Sequence, residues 1–307
     1  MNPEFVRNLW LEISRQRLVM MTLTLGSILY LAWSWSPNSY PGGKSLGLET
    51  TAATLFVLLT YFWGTRRTSE SVMEEVRDRT WDFQRMSSLG AWSMTWGKLF
   101  GSSAYVWYGG AICLLTFSLS TLSRGGDLVT LLKSLIVLIG SAVLTNTVAM
   151  LASLDATQKG RIVKRSTGQS LVVGLFIGTW FLGTGIWQAG DFGDINWWGA
   201  DYNGLNFVVV SLLVFDVWAL VGAYRLMRHE LQFRCAPWVW LSFVMFLMFY
   251  GSGFEMDSLT MVTRPFALHG EGTSTDSRLF IAALIGVLCS YLMIFRESKN
   301  PVIFRKL

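Results

Sequence analysis

Eight long apolar stretches run through this chain of 307 residues, and nearly all its lysines and arginines fall in every second gap between them. That alternation fixes the solvent first. A hydrocarbon core about 30 Å thick needs roughly 20 helical residues to cross. The stretches lie near Leu18–Trp35, Thr50–Thr65, Leu99–Leu122, Val129–Leu154, Gln169–Gln188, Asn206–Met227, Pro237–Phe254 and Leu279–Phe295. Those that fall a residue or two short are read as tilted, or as thinning the bilayer locally. Backbone groups in lipid must pair within their own segment, so helices are expected. None of the runs alternates apolar with polar residues, as a β-barrel would require. The expected class is an all-α integral membrane protein of about eight transmembrane helices.

Charge sets the expected orientation. With the N-terminus in the cytosol, twenty basic residues fall in cytosolic segments; Lys44, Arg124, Lys133, Arg264 and Arg278 alone fall on the opposite side or its edge. This is a strong positive-inside bias. Both termini are therefore expected in the cytosol, with the plasma (inner) membrane as the site. The net charge of +5 belongs to that membrane face, where anionic headgroups favour it. It calls for no nucleic-acid partner. Cys113 and Cys289 lie within spans and Cys235 at a cytosolic helix end, which does not indicate a disulfide framework. No cleavable signal peptide is expected, because the first span follows a mixed-charge segment. Most of the 15 tryptophans gather near the span ends, as interfacial anchors do.

Two segments are too polar to cross. Over residues 1–17, Phe5, Val6, Leu9, Trp10 and Ile13 share a roughly 140° sector of a helix. Glu4, Arg7, Asn8, Glu12 and Arg15 occupy the remainder, and Asn2-Pro3 supplies a cap and a first-turn proline. Such a helix lies at the headgroups with its apolar stripe down. The second segment separates spans two and three and runs from Arg66 to Lys98. Val72, Val76, Phe83, Met86 and Leu89 recur at near-helical spacing there, with Glu74, Arg77, Asp78, Asp82 and Arg85 elsewhere on the surface. A helix over about 71–89 is expected. It either lies against the membrane or inserts into a groove on a soluble partner and passes motion to the spans it joins.

This layout resembles the membrane (permease) subunit of type-2 ABC transporters. Shared features are an amphipathic N-terminal helix, two spans, and a cytosolic helix that opens with Glu74-Glu75. That helix passes through Met86-Ser87-Ser88-Leu89-Gly90 and closes on Gly97-Lys98. The resemblance implies an elbow helix at 1–17, a six-span core over 18–230, and a coupling helix at 71–89 that docks on a separate ABC ATPase subunit. Glu74, Glu75, Arg77, Arg79, Phe83, Arg85 and Met86 would then be the contact residues. Two features depart from the family: Gly90 stands where proline is common, and eight spans exceed the usual six. The last two spans, their 255–277 loop and the cytosolic tail (231–307) are an addition whose role the family does not supply.

No phosphate-binding loop is recognisable. Pro41-Gly42-Gly43-Lys44-Ser45 lacks the leading glycine, and Gly90 to Lys98 has the wrong glycine spacing. No cofactor is therefore expected on this chain, and ATP with Mg would sit on the partner. His229 and His269 fall on opposite membrane faces, so an intrinsic enzyme is not expected. Asp216 lies mid-span, where an ionised aspartate costs about 2.5–3.5 kcal/mol on insertion scales. It must face the bundle interior, a partner or a wet cavity; Lys133 and Asn146 in span four are candidate partners. It serves proton coupling, a substrate contact or an interhelical hydrogen bond. Gly174, Gly178, Gly183 and Gly185 give span five a small-residue stripe for close helix packing. The acidic, tryptophan-bearing exit Gln188–Asn203 suggests a short interfacial helix or re-entrant turn.

These features point to a permease subunit of an ATP-driven exporter, working as a homodimer or heterodimer and forming the translocation path. The rivals are an ion-coupled secondary transporter and a non-transporting scaffold that recruits cytosolic proteins.

Overall fold

A computed structural model of the chain describes residues 2–36, 43–77, 90–158, 163–189, 194–231, 233, 238–254 and 274–296. Helix α1 (Pro3–Glu12) is followed by α2 (Arg15–Trp35), α3 (Gly43–Val57), the π-helical turn pair Leu58–Gly64 and α4 (Thr65–Arg77). Next come α5 (Ala91–Trp96), a second π-helical segment (Gly97–Gly101), α6 (Ala104–Ser123), α7 (Leu128–Gln158) and α8 (Val163–Ala189). The hairpin β1 (Asp194–Trp197) and β2 (Ala200–Asn203) precedes α9 (Gly204–Glu230), α10 (Trp238–Ser252) and α11 (Ser274–Arg296).

The protein is a helical membrane protein. Among the described residues, five helical segments are long and apolar enough to cross a bilayer: Arg15–Trp35, Gly43–Glu74, Ala104–Ser123, Leu128–Ala156 and Gly204–Glu230. Three shorter apolar stretches, Leu171–Gly185, Trp238–Ser252 and Arg278–Met293, fall where the remaining expected spans were placed. Large apolar side chains point outward from these helices, among them Val172, Phe176 and Trp180 on α8 and Val210 and Val217 on α9. A water-facing surface would not carry such contiguous bands.

Contacts divide the chain into two compact units, 1–192 with 205–235, and 193–204 with 236–307. In the first, α3, the π-helical segment and α4 form one unbroken rod of 35 residues, about 50 Å long. The span expected at Thr50–Thr65 therefore starts earlier, and its helix continues into the polar segment without a break. Phe56 and Tyr61 from this rod pack with Met21, Leu25, Cys113 and Val137 in the middle of the unit. Further along, Val72 meets Met94, Leu99, Met150, Leu154 and Met227 in a second apolar cluster. The polar end of the rod is thus seated on the ends of α7 and α9.

The second unit corrects an expectation. Residues 194–203 form a two-stranded antiparallel hairpin with Trp197 opposite Ala200, where a helix or re-entrant turn was expected. Its two-residue loop has positive φ at both Trp198 (54°) and Gly199 (77°), the backbone of a tight hairpin turn matched to strand twist. The ring of that tryptophan is held by two neighbours. It stacks on Phe249 at 5.1 Å, and the Arg278 guanidinium sits 5.3 Å from its centroid. The Trp198 N–H donates to Gly253 O at 2.9 Å, and Trp197 Nε1 donates to Tyr250 O at 3.1 Å.

Candidate functional site

Polar side chains inside the first unit gather along the contact of the rod with α7. The Tyr61 hydroxyl, in the π-helical segment, donates to Ser141 Oγ, and the Ser141 hydroxyl in turn donates to Val137 O. About one turn on, Thr65 Oγ1 donates to Asn146 Oδ1 at 3.0 Å. All four side chains are buried. π-Helical turns disturb the regular backbone ladder and are frequent at functional sites. Here one such turn presents Tyr61 to α7.

Asp216 of α9 is buried beside this seam. A Cβ added at Gly140 would lie 3.1 Å from Asp216 Oδ2 and 2.9 Å from Leu212 Cδ2, so the glycine makes room for α9 at this level. Tyr61 is close enough to interact electrostatically with the carboxyl group. Among the described residues, Asp216 Oδ1 and Asn146 Nδ2 have no hydrogen-bond partner. The expected partners are not its partners. Asn146 is engaged by Thr65, and Lys133 lies seven residues before Gly140 on α7, about 10 Å along the axis.

A second polar cluster joins α1 to the rod and to α5. Asn2 caps α1, its Oδ1 accepting from the Glu4 and Phe5 amides at 3.1 and 3.4 Å. The Asn2 amide also donates to Ser93 O at 2.7 Å, and the Ser93 hydroxyl donates back to Asn2 Oδ1 at 2.6 Å. Glu4 is buried with its carboxylate 2.8 Å from Arg7 and 3.9 Å from the equally buried Lys98. Asn8 donates to Gly97 O at 3.1 Å, in the second π-helical segment. Glu12 pairs with Arg67 of α4. Gly97 and Gly101 permit this approach, since Cβ atoms there would come within 2.6 Å of Glu4 Cγ and 2.9 Å of Asn8 Cβ.

This reverses part of the sequence expectation. Glu4, Asn8 and Glu12 form one ridge spaced by four residues, and that ridge faces protein instead of water. Lys98 and Arg67 are the reason, because each offers a cation to a carboxylate that would otherwise face the headgroups. Pro3, Arg7, Trp10 and Leu11 form the outward ridge, with Trp10 80% and Leu11 71% exposed.

Of the expected docking residues, Glu74 is exposed near the end of α4. Glu75 and Arg77 belong to the same helix by backbone. Arg79, Phe83, Arg85 and Met86, with the expected helix end near Leu89, lie outside the described residues. The glycine stripe of α8 resolves by position. Gly174, Gly178 and Gly185 abut Thr145, Ala149 and Val137 of α7, whereas Gly183 faces open space. Sequence inspection missed Tyr61, Ser141 and Glu4 as site residues. Their signal was faint: a lone hydroxyl in an apolar run, or an acid on a helix face that also carried bases. Among the described residues no group of three or more His, Cys, Asp or Glu converges as a metal site. No protein-family model matches this chain, and neither does any curated protein or solved structure.

Proposed function

We propose that this chain is the permease subunit of an ATP-driven exporter resembling the type-2 ABC transporters. All eight apolar helices would cross the plasma (inner) membrane, with both termini in the cytosol. Two such subunits, identical or related, would enclose the path, and two ABC ATPase subunits would bind ATP and Mg on the cytosolic side. The observation that carries this proposal is the 35-residue rod Gly43–Arg77. It exceeds a bilayer's hydrocarbon thickness by about 20 Å, and its polar end leads straight into the 71–89 docking segment. A helix carries displacement along its axis, so a push on its cytosolic end would reach the π-helical segment that holds Tyr61, five residues before Arg66. A secondary, ion-coupled carrier is the second proposal, favoured by the buried Asp216 carboxyl that no described residue neutralises.

The test is charge reversal on the docking helix. Arg77→Glu/Arg79→Glu/Arg85→Glu should still insert, but should lose the co-purifying ATPase and at least 90% of Mg-ATP hydrolysis, about 1.4 kcal/mol of subunit affinity per tenfold. Undiminished hydrolysis in that variant would remove this helix as the docking element.

A further inference from the structure

We propose that the Glu12–Arg67 ion pair is a salt-sensitive latch between α1 and the rod, and that the rod end shifts against α1 when it opens. The inference rests on how differently the two sides of α1 are held. Along one side, neutral hydrogen bonds fix α1 to α5 and to the second π-helical segment. Asn2 and Ser93 exchange two bonds, of 2.7 and 2.6 Å, and Asn8 donates to Gly97 O at 3.1 Å. The fit is close there, because a Cβ at Gly97 would lie 2.6 Å from Glu4 Cγ. Bonds between neutral groups carry no net charge for salt to screen.

On the other side α1 meets α4 sparsely among the described residues, and Glu12 with Arg67 forms a charged tie there. Water reaches both side chains, which are 16% and 33% exposed. An ion pair in that setting is weak and falls with ionic strength. Arg67 also has a second carboxylate on its own helix, Glu70 Oε2, 3.9 Å away. The other oxygen of Glu70 accepts from Arg66 Nε at 2.7 Å. Arg67 can therefore leave Glu12 and keep a carboxylate beside it, while Glu12 turns to water. Next to this tie, Val72 of the rod end packs with Met94 and Leu99. Such apolar contacts have no direction and do not fix a single position. The transport proposal passes force along the rod, and the latch would set how freely the rod moves. The inference itself rests on the ion pairs and not on that proposal.

The experiment uses the full chain, native cysteines replaced by serine, in phosphatidylcholine vesicles without ATP or any partner. Spin labels at Leu11→Cys and Glu74→Cys, both exposed, report α1 against the rod. Labels at Pro3→Cys and Gly90→Cys, also exposed, report α1 against the start of α5. Between about 0.01 and about 1 M salt the screening length falls from about 30 to about 3 Å. Over that range the first pair should show a second distance population that grows about two- to fivefold, the weight of an ion pair that water reaches. Glu12→Gln should show that larger population already at low salt, with no further response to salt. The second pair should not change in either protein. A Leu11–Glu74 distribution indifferent to salt or to Glu12→Gln would overturn the latch. A Pro3–Gly90 distribution that moves with salt would show α1 leaving α5 as well, and would overturn the fixed side. Since ATP is absent, either failure leaves the transport proposal standing.

Discussion

Lys98 is buried within a membrane protein, and one partner of its charge is Glu4, 3.9 Å away and 94 residues distant in sequence. Glu4→Ala removes that carboxylate from both Lys98 and Arg7, at an expected cost of about 2–3 kcal/mol. Lys98→Met alone leaves Glu4 with Arg7 and should cost less. The double variant should cost less than the sum of the two, because the Glu4–Lys98 pair is then lost once and not twice. Thermal unfolding of the four proteins in detergent checks this, and strict additivity would show that the two side chains do not interact. Asp216→Asn is expected to behave oppositely. With no described partner to lose, it should insert normally and melt at the same temperature or higher, since the neutral amide avoids the cost of about 2.5–3.5 kcal/mol of an ionised group at mid-membrane. If the carboxyl serves transport, the ATP-coupled turnover of the complex should fall. Equal turnover would show the carboxyl to be dispensable.

At the scale of elements, α7 and α8 meet through glycines whose neighbours differ sharply. A Cβ at Gly178 would fall on Thr145 Oγ1, whereas one at Gly183 meets nothing within 4 Å. Gly178→Ala should therefore destabilise by about 1–3 kcal/mol through overpacking. Gly183→Ala should be neutral or slightly stabilising, by up to about 1 kcal/mol from helix propensity. Melting temperatures that do not separate the two variants would contradict the packing. The sequence showed four glycines on α8 but not which of them touch a neighbour, because period fixes the face of a helix and not its partner. The same limit explains α1. Its cap at Asn2 and its helix were readable from local chemistry, yet the ridge Glu4, Asn8, Glu12 turned inward because Lys98 and Arg67 arrive from elsewhere in the chain. The hairpin 194–203 was missed for another reason. Trp198 occupies a turn position that glycine or asparagine usually holds, and its ring contacts with Phe249 and Arg278 and its backbone bond to Gly253 come from outside the hairpin.

For the whole molecule, apolar length and the spacing of basic residues made the membrane class plain, since lipid leaves the backbone few alternatives. The seam of Tyr61, Ser141, Thr65 and Asn146 was not readable, because hydroxyls within apolar runs announce neither a pair nor a turn of π-helix. The functional proposal joins these scales. A rod that begins in the membrane, passes the seam and ends at a docking segment should move when a partner moves. The most direct measurement attaches a spin label at Arg66→Cys in each of the two membrane subunits, with native cysteines replaced by serine. Distances are then read in the purified complex without nucleotide and after trapping with Mg-ATP and vanadate. Arg66 is 65% exposed, so the label fits without repacking. The account predicts that the distance distribution shifts on trapping, and that the shift disappears in Arg77→Glu/Arg79→Glu/Arg85→Glu. An unchanged distribution in a complex that hydrolyses ATP, or a purified chain that never carries an ATPase, would contradict it.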